Sequence, residues 1–374
     1  MTPPPLFGPN GIRGTANVYP MTAATALAVG RAVAHVLRRD HTGINRILIG
    51  KDTRISGYML ENALTAGVCS VGVDAFVTGP VPTPGIAYLT RTMRCVAGIV
   101  VTASHEPAAE NGLLIFDSLG FPIGPDVEAE IEPLVRNGVP DDASPTGAGL
   151  GRAKRIDDVK GRYIEFCKGT YPSGTMLEGV RIVLDCANGS TYRVAPDVFR
   201  ELGASVSILN ASPNGMNVNR GCGASAPDEL RRAVVENKAD LGLAFDGDGD
   251  RLIAVDETGR ALSGDVVLAI CARHLKSLGK LQGARVVVTK RSGEPLRACL
   301  RTLGIAVVEA DPTQRGILAR MRAVDASLGG DPAGHLIFRD LQTTGDGIVT
   351  ALQLLSVMDV SGKPLSALAS IVDP

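Results

Sequence analysis

Residues 97–116 read AGIVVTASHEPAAENGLLIF. Ala97 to Val101 is an unbroken apolar run, too short for a helix and rich in branched side chains, so it reads as a buried strand. Thr102 to Pro107 follows as a loop at the strand's C-terminal end, the edge of an α/β sheet where ligands gather. Asn111-Gly112 is a turn signal, and the apolar run Leu113 to Phe116 comes next. Working outward, Ile47 to Gly50 and Val73 to Val77 read as strands, with helices over Thr22 to Arg39 and Tyr58 to Val71. Strands alternating with helical stretches predict βαβ units.

The rhythm restarts twice. Arg181 to Leu184, Val206 to Leu209 and Leu241 to Phe245 read as strands, separated by helices near 190–202 and 226–238. A third round runs from Val286 to Val288, through a helix near 295–303, to Ile305 to Val308, with a last helix over 346–358. Asn137 to Gly151 is rich in Gly, Pro, Ser and Asp and reads as a surface linker. The expected fold class is therefore α/β, with three consecutive domains of mixed sheets around a central cleft, bounded at 1–152, 153–252 and 253–374.

At 374 residues the chain is too long for one ordinary core, which fits several domains. A formal net charge of −1 offers no surface for a polyanion, so nucleic acid is not an expected partner. No apolar run reaches the roughly 18 residues of a membrane span, and MTPPPLFG lacks the basic and apolar regions of a signal peptide. The expectation is a cytoplasmic protein with no membrane partner. Seven cysteines, none in C-x-x-C spacing, read as reduced thiols, not metal ligands.

A second segment carries chemistry. Asp246-Gly-Asp248-Gly-Asp250-Arg251 lies between the apolar runs 241–245 and 252–255. Alternate positions of an extended segment point to one side, and the glycines permit a tight turn. Three hard oxygen donors suit Mg²⁺, which keeps further positions for phosphate or water. A calcium EF-hand loop is the competing reading, and Glu257 even falls at its twelfth position. Arg251 stands where that loop needs Gly, and the flanks read as strands.

TASHEPAAENGLLIF resembles the phosphoserine loop of the phosphohexomutase superfamily, usually TASHNP followed by NGxK. AFDGDGDR resembles that superfamily's metal loop, and FGPNGIRG its FGTxGIRG segment. GKDTR with ISGYMLENAL, GPVPTPGIAYLTR and TTGDGIV are most similar to the phosphoglucosamine mutase branch, from about Phe7 to Met358. The resemblance implies a phosphate on Ser104 and Mg²⁺ held by Ser104, Asp246, Asp248 and Asp250. It implies exchange of a sugar 6-phosphate and 1-phosphate through a bisphosphate, and a sugar 1,6-bisphosphate activator is a further expectation. Arg13 and Arg251 match arginines beside the phosphoserine, and His105 follows the serine directly. Asp331, Gly334 and His335 fall in the sugar loop, and Lys51 and Arg54 are further positive groups expected at the cleft.

Departures from the pattern are equally legible. The superfamily's fourth domain, with an RxSGTEP loop, is expected to be absent, since the chain ends at Pro374; Arg291-Ser-Gly-Glu-Pro295 resembles that loop only superficially. The sugar loop GExSGH reads GDPAGH, so Asp331 and Ala333 shorten or remove two sugar contacts. Leu114 replaces a lysine, whose loss as a general acid or base would cost about 10²–10⁴-fold in rate. Glu106 replaces Asn and adds charge beside a phosphate. Three readings stand: a phosphosugar mutase, a divergent phosphatase or one-way phosphotransferase, and a non-catalytic binding protein on a mutase scaffold. A homodimer through the first domain is a further expectation.

Overall fold

The computed structural model describes residues 4–38, 45–172 and 174–372, and Arg39, the expected end of the first helix, lies outside them. The chain divides into two compact units: 1–162 with Pro213–Val218, and 163–212 with 219–374.

The first unit is built on a six-stranded sheet. Its strands are β1 (Ile12–Thr15), β2 (Arg46–Lys51), β3 (Asp74–Pro80), β4 (Ala97–Val101), β5 (Glu110–Asp117) and β6 (Ala153–Arg155), in the order β1-β5-β4-β2-β3-β6. β4, β2, β3 and β6 run parallel, while β5 is antiparallel to both β4 and β1. Successive side chains face opposite sides of a strand. Ile47 and Ile49 accordingly pack with helices Ala23–Arg38 and Ser56–Ser70, and Leu48 with Ile86 and Leu89 of helix Thr83–Thr92 on the other face. Covered on both faces, β4 is apolar throughout, not alternating.

The second unit holds two sheets. One contains β7 (Arg181–Asp185), β8 (Ser205–Leu209), β9 (Leu241–Phe245), β10 (Leu252–Asp256) and β11 (Ala261–Leu262), in the order β11-β10-β9-β7-β8. The other contains β12 (Arg285–Thr289), β13 (Ala306–Ala310), β14 (Leu328–Gly330) and β15 (Leu336–Phe338), in the order β13-β12-β14-β15. All three sheets share one device. A strand paired in parallel with its neighbour runs into a short loop, and the chain returns as an antiparallel strand: β4 to β5, β9 to β10, β14 to β15. Those three loops are the serine, aspartate and sugar loops of the sequence reading.

Two domain boundaries shift. β6 pairs in parallel with β3, so the first sheet continues past residue 152. β10 and β11 complete the sheet begun by β7, so the second domain continues past residue 252. The first limit follows a Gly- and Pro-rich stretch and the second the end of the AFDGDGDR segment, and neither signal registers strand pairing.

Asp346 joins distant parts of the second unit. Its Oδ1 accepts from the Ile348 and Val349 amides, capping helix Gly347–Ser361. Its Oδ2 accepts from the fully buried Tyr163 hydroxyl at 2.8 Å. Replacing Asp346 with Ala removes the cap and strands a buried hydroxyl, costing about 1 kcal/mol and about 1–3 kcal/mol respectively. Urea unfolding should register a loss of roughly 2–4 kcal/mol, and an unchanged midpoint would refute this account.

Candidate active site

Ser104 sits in the first unit, just beyond the C-terminal end of β4, and is only 6% exposed. Its backbone is left-handed, φ +51°, a conformation rare for a side chain other than glycine or asparagine. The amide of Ser104 donates to Thr102 Oγ1 at 2.9 Å. Its hydroxyl lies 3.4 Å from His105 Nδ1, a long contact. Arg13, on β1 opposite Gly112 of β5, donates from Nε to the Asn10 carbonyl. Asn111 and Gly112, expected at a turn, lie inside β5 and pair with β1; a Cβ at Gly112 would come within 2.4 Å of Arg13 Cδ and 2.8 Å of the Thr102 carbonyl oxygen, so the glycine is where Arg13 passes the serine loop.

Lys51 and Arg54 are not the open cationic groups expected from sequence. Lys51 is buried, its ammonium 2.6 Å from Glu61 and 3.7 Å from the centre of the Tyr58 ring. Arg54 has no solvent exposure at all. Its guanidinium meets Asp52 at 2.7 Å and donates to the backbone carbonyls of Ser104, Glu106, Pro107 and Glu110. Both charges are already spent on protein groups, because burying a cation without partners is costly. The Glu106 carboxylate is half exposed and lies 3.6 Å from His105, while its carbonyl accepts from Arg54. Leu114 packs against the apolar cluster around Phe116.

In the second unit the β9–β10 turn carries Asp246, Asp248 and Asp250. All three are buried, each offering an oxygen within 4.8 Å of the others. Asp246 Oδ1 accepts from the Gly249 amide, and Gly249 at φ +76° closes the turn. The strands on either side exclude the EF-hand alternative, which needs helices. The sugar loop docks directly on this turn. The carbonyl of Gly334, at φ +96°, accepts from the Leu252 amide, and any Cβ there would sit 2.3 Å from the Leu252 carbonyl oxygen.

Asp331, His335 and Arg251 form a chain. Arg251 Nε donates to His335 Nε2 at 2.8 Å, which leaves His335 Nδ1 as donor to Asp331 Oδ2, also at 2.8 Å. Asp331 Oδ1 accepts the amides of Ala333 and His335. The Asp331 side chain turns back on its own loop. Burial alone would raise the Asp331 pKa, but the His335 ring and Arg251 outweigh it and hold the carboxyl below its usual range. Gln314 was not legible in the sequence. Its amide donates to Asp250 Oδ2 at 3.1 Å and its carbonyl accepts from Thr344 Oγ1 at 2.6 Å, securing one aspartate from a separate helix.

The residues fit a hard divalent cation. Three carboxylates buried this closely would repel one another without a positive charge, and oxygen is the donor that Mg²⁺ takes. Thiolate ligation is disfavoured, since burial pushes the Cys186 and Cys271 thiols up to about 12. Among the described residues no helix is long and apolar enough to cross a membrane.

Residues 4–140, 162–259 and 263–374 match the family models for α/β/α domains I, II and III of phosphoglucomutase/phosphomannomutase. The phosphoglucosamine mutase of Syntrophus aciditrophicus is 52% identical over 98% of this chain and 82% of its own length. That of Chlamydia trachomatis serovar A is 49% identical over 98% and 80%. Among solved structures, a phosphoglucomutase/phosphomannomutase family protein from Burkholderia thailandensis superposes with a TM-score of 0.84 at 26% identity, over 98% of this chain and 79% of that one. The Aspergillus fumigatus N-acetylphosphoglucosamine mutase, solved with GlcNAc-6P and magnesium, shares the fold at 17% identity and a TM-score of 0.65, over 98% and 79%.

Proposed function

The chain belongs to the phosphoglucomutase/phosphomannomutase family, and from that premise we propose that it interconverts glucosamine 6-phosphate and glucosamine 1-phosphate through a phosphorylated Ser104. The observation that carries this reading is the buried triad Asp246, Asp248 and Asp250, present in a chain half identical to phosphoglucosamine mutases. Asp246, Asp248 and Asp250 would hold Mg²⁺, and when bound it supplies positive charge for the phosphoryl group in transit.

Phosphoryl transfer relies on positioning and charge neutralisation more than on covalent chemistry. Ser104 Oγ carries the phosphoryl group. The sugar hydroxyl attacks phosphorus, the P–O bond to Ser104 breaks, and the hydroxyl proton leaves with a base. The resulting bisphosphate returns its other phosphoryl group to Ser104, and a sugar 1,6-bisphosphate primes the first turnover. Arg13 and Arg251 supply guanidinium charge, suited to phosphate oxygens by their paired donors. Asp331 and Gly334 fix His335, whose Nδ1 proton is committed to Asp331, so His335 binds sugar by position and not as a free acid. Arg54 supports the serine loop through its backbone carbonyls, and Lys51 pairs with Glu61.

Phosphorus NMR tests the reading directly. Protein, Mg²⁺, glucosamine 6-phosphate and a trace of the 1,6-bisphosphate should give a growing 1-phosphate resonance. Inorganic phosphate in its place would replace the mutase by a phosphatase, a reading that Leu114 favours because it offers no proton where a lysine is expected. An unchanged spectrum would reject this substrate.

A further inference from the structure

We propose that Asp52, Arg54 and Thr102 form a buried positioning device that holds the reactive serine by both of its peptide groups. This inference rests on Ser104 being the phosphoryl carrier. The starting observation is its left-handed backbone, φ +51°, which persists only where the surroundings over-determine it.

The restraints come from both sides of the residue. On the N-terminal side, the Ser104 amide donates to Thr102 Oγ1 at 2.9 Å, and Thr102 Oγ1 donates onward to Asp52 Oδ2 at 2.7 Å. On the C-terminal side, Arg54 Nη2 donates to the Ser104 carbonyl at 2.9 Å and to the Glu106 carbonyl at 2.8 Å. Arg54 Nη1 extends the grip to Pro107 and Glu110. The two sides meet at one ion pair, because Arg54 Nε donates to the same Asp52 Oδ2 at 2.7 Å. Asp52 Oδ1 accepts the Arg54 amide at 2.9 Å, and the Asp52 amide bonds the Val101 carbonyl at the end of β4. The serine loop is thereby tied to the rigid central sheet.

Asp52, Arg54 and Thr102 are each 0–1% exposed. None of them touches solvent, so none is placed to meet a sugar phosphate. Guanidinium is the one side-chain group able to send donors to four carbonyls in a plane while pairing with a carboxylate. Lysine presents a compact ammonium with three donors and cannot span the set. The device therefore acts on the orientation of Ser104 Oγ, on which in-line transfer depends.

The test uses the whole chain with two substitutions, Thr102→Val and Arg54→Lys. Thr102→Val keeps the shape and deletes both hydroxyl bonds; Arg54→Lys keeps the charge and loses the fork. Three quantities are read: kcat and KM for glucosamine 6-phosphate, uptake of labelled phosphate from the 1,6-bisphosphate, and hydrogen exchange of residues 102–110. Per folded molecule, kcat should fall about 10-fold for Thr102→Val and about 10²-fold for Arg54→Lys, the scale of a misplaced reacting group, with KM within about twofold. Exchange in the loop should quicken by about 10-fold or more in both variants. A KM rise at constant kcat would overturn the proposal and return Arg54 to substrate binding. Wild-type kcat and wild-type exchange in both variants would also overturn it. Should the unaltered chain take up no label, the reading of Ser104 falls, and the exchange result alone decides whether the tether exists.

Discussion

Replacing Ser104 with Ala should abolish phosphoryl exchange while leaving the fold intact. Only the hydroxyl oxygen is lost, and its contact with His105 Nδ1 is long at 3.4 Å. The backbone bonds that set the loop come from the Ser104 amide and carbonyl, which alanine retains. The thermal midpoint should therefore move little. Activity should behave differently, because on the proposed reading Ser104 Oγ is the group that carries the phosphoryl between the two sugar oxygens. Loss of a covalent nucleophile elsewhere costs on the order of 10⁴-fold or more in kcat, and that scale is expected here. Labelled phosphate from the bisphosphate should stay off the variant and appear on the unaltered chain. Residual exchange above a hundredth of the original rate would remove Ser104 from its role.

Replacing Asp248 with Asn separates the two consequences of crowding three carboxylates. Asp248 suits the purpose best, since Asp246 also closes the turn through the Gly249 amide and Asp250 accepts from Gln314. Asparagine preserves volume and removes one charge from a buried group whose oxygens lie within 4.8 Å of one another. In chelator the variant should melt higher than the unaltered chain, because like-charge repulsion is relieved. With millimolar Mg²⁺ the order should reverse, as only the full triad gains stability from binding the ion. Calorimetric Mg²⁺ affinity should drop at least about 10-fold, and turnover by about 10³-fold, the scale of losing an electrostatic stabiliser of the transferring group. Equal melting of both proteins with and without Mg²⁺ would show that the triad is a solvated acidic turn.

These outcomes bear on different units of the chain. The serine result concerns a loop of the first sheet, and the aspartate result a hairpin turn of the second unit. A protein that lost exchange in both variants would tie the two loops to one reaction by kinetics.

What could be read without coordinates was local. The runs 97–101 and 241–245 are apolar at every position because both faces of those strands are covered, and a run of five with branched residues identifies itself. The motifs TASHEP and DGDGDR are contiguous, so the chemistry they carry needs no knowledge of distant packing. The boundary at 152 differs because pairing of β6 with β3 joins residues far apart in sequence and has no compositional mark; the one at 252 cuts a local antiparallel run, since β10 returns directly beside β9 and then pairs with β11.

Tertiary structure alone decided what each charged side chain is for. Arg54 and Lys51 lie in a motif that reads as cationic, yet desolvation demands partners, and Asp52, Glu61 and four carbonyls of the serine loop supply them. Asp331 could have reached a sugar or its own loop; shortening by one methylene relative to glutamate matches it to the His335 ring 2.8 Å away. Gln314 and Thr102 carry no motif of their own, and their roles arise from approach across 64 and 50 residues of chain. Sequence determines which loops hold chemistry because short-range pattern encodes strand and turn. Folding determines which groups remain available to act, because burial forces each polar atom to find a partner before any ligand arrives.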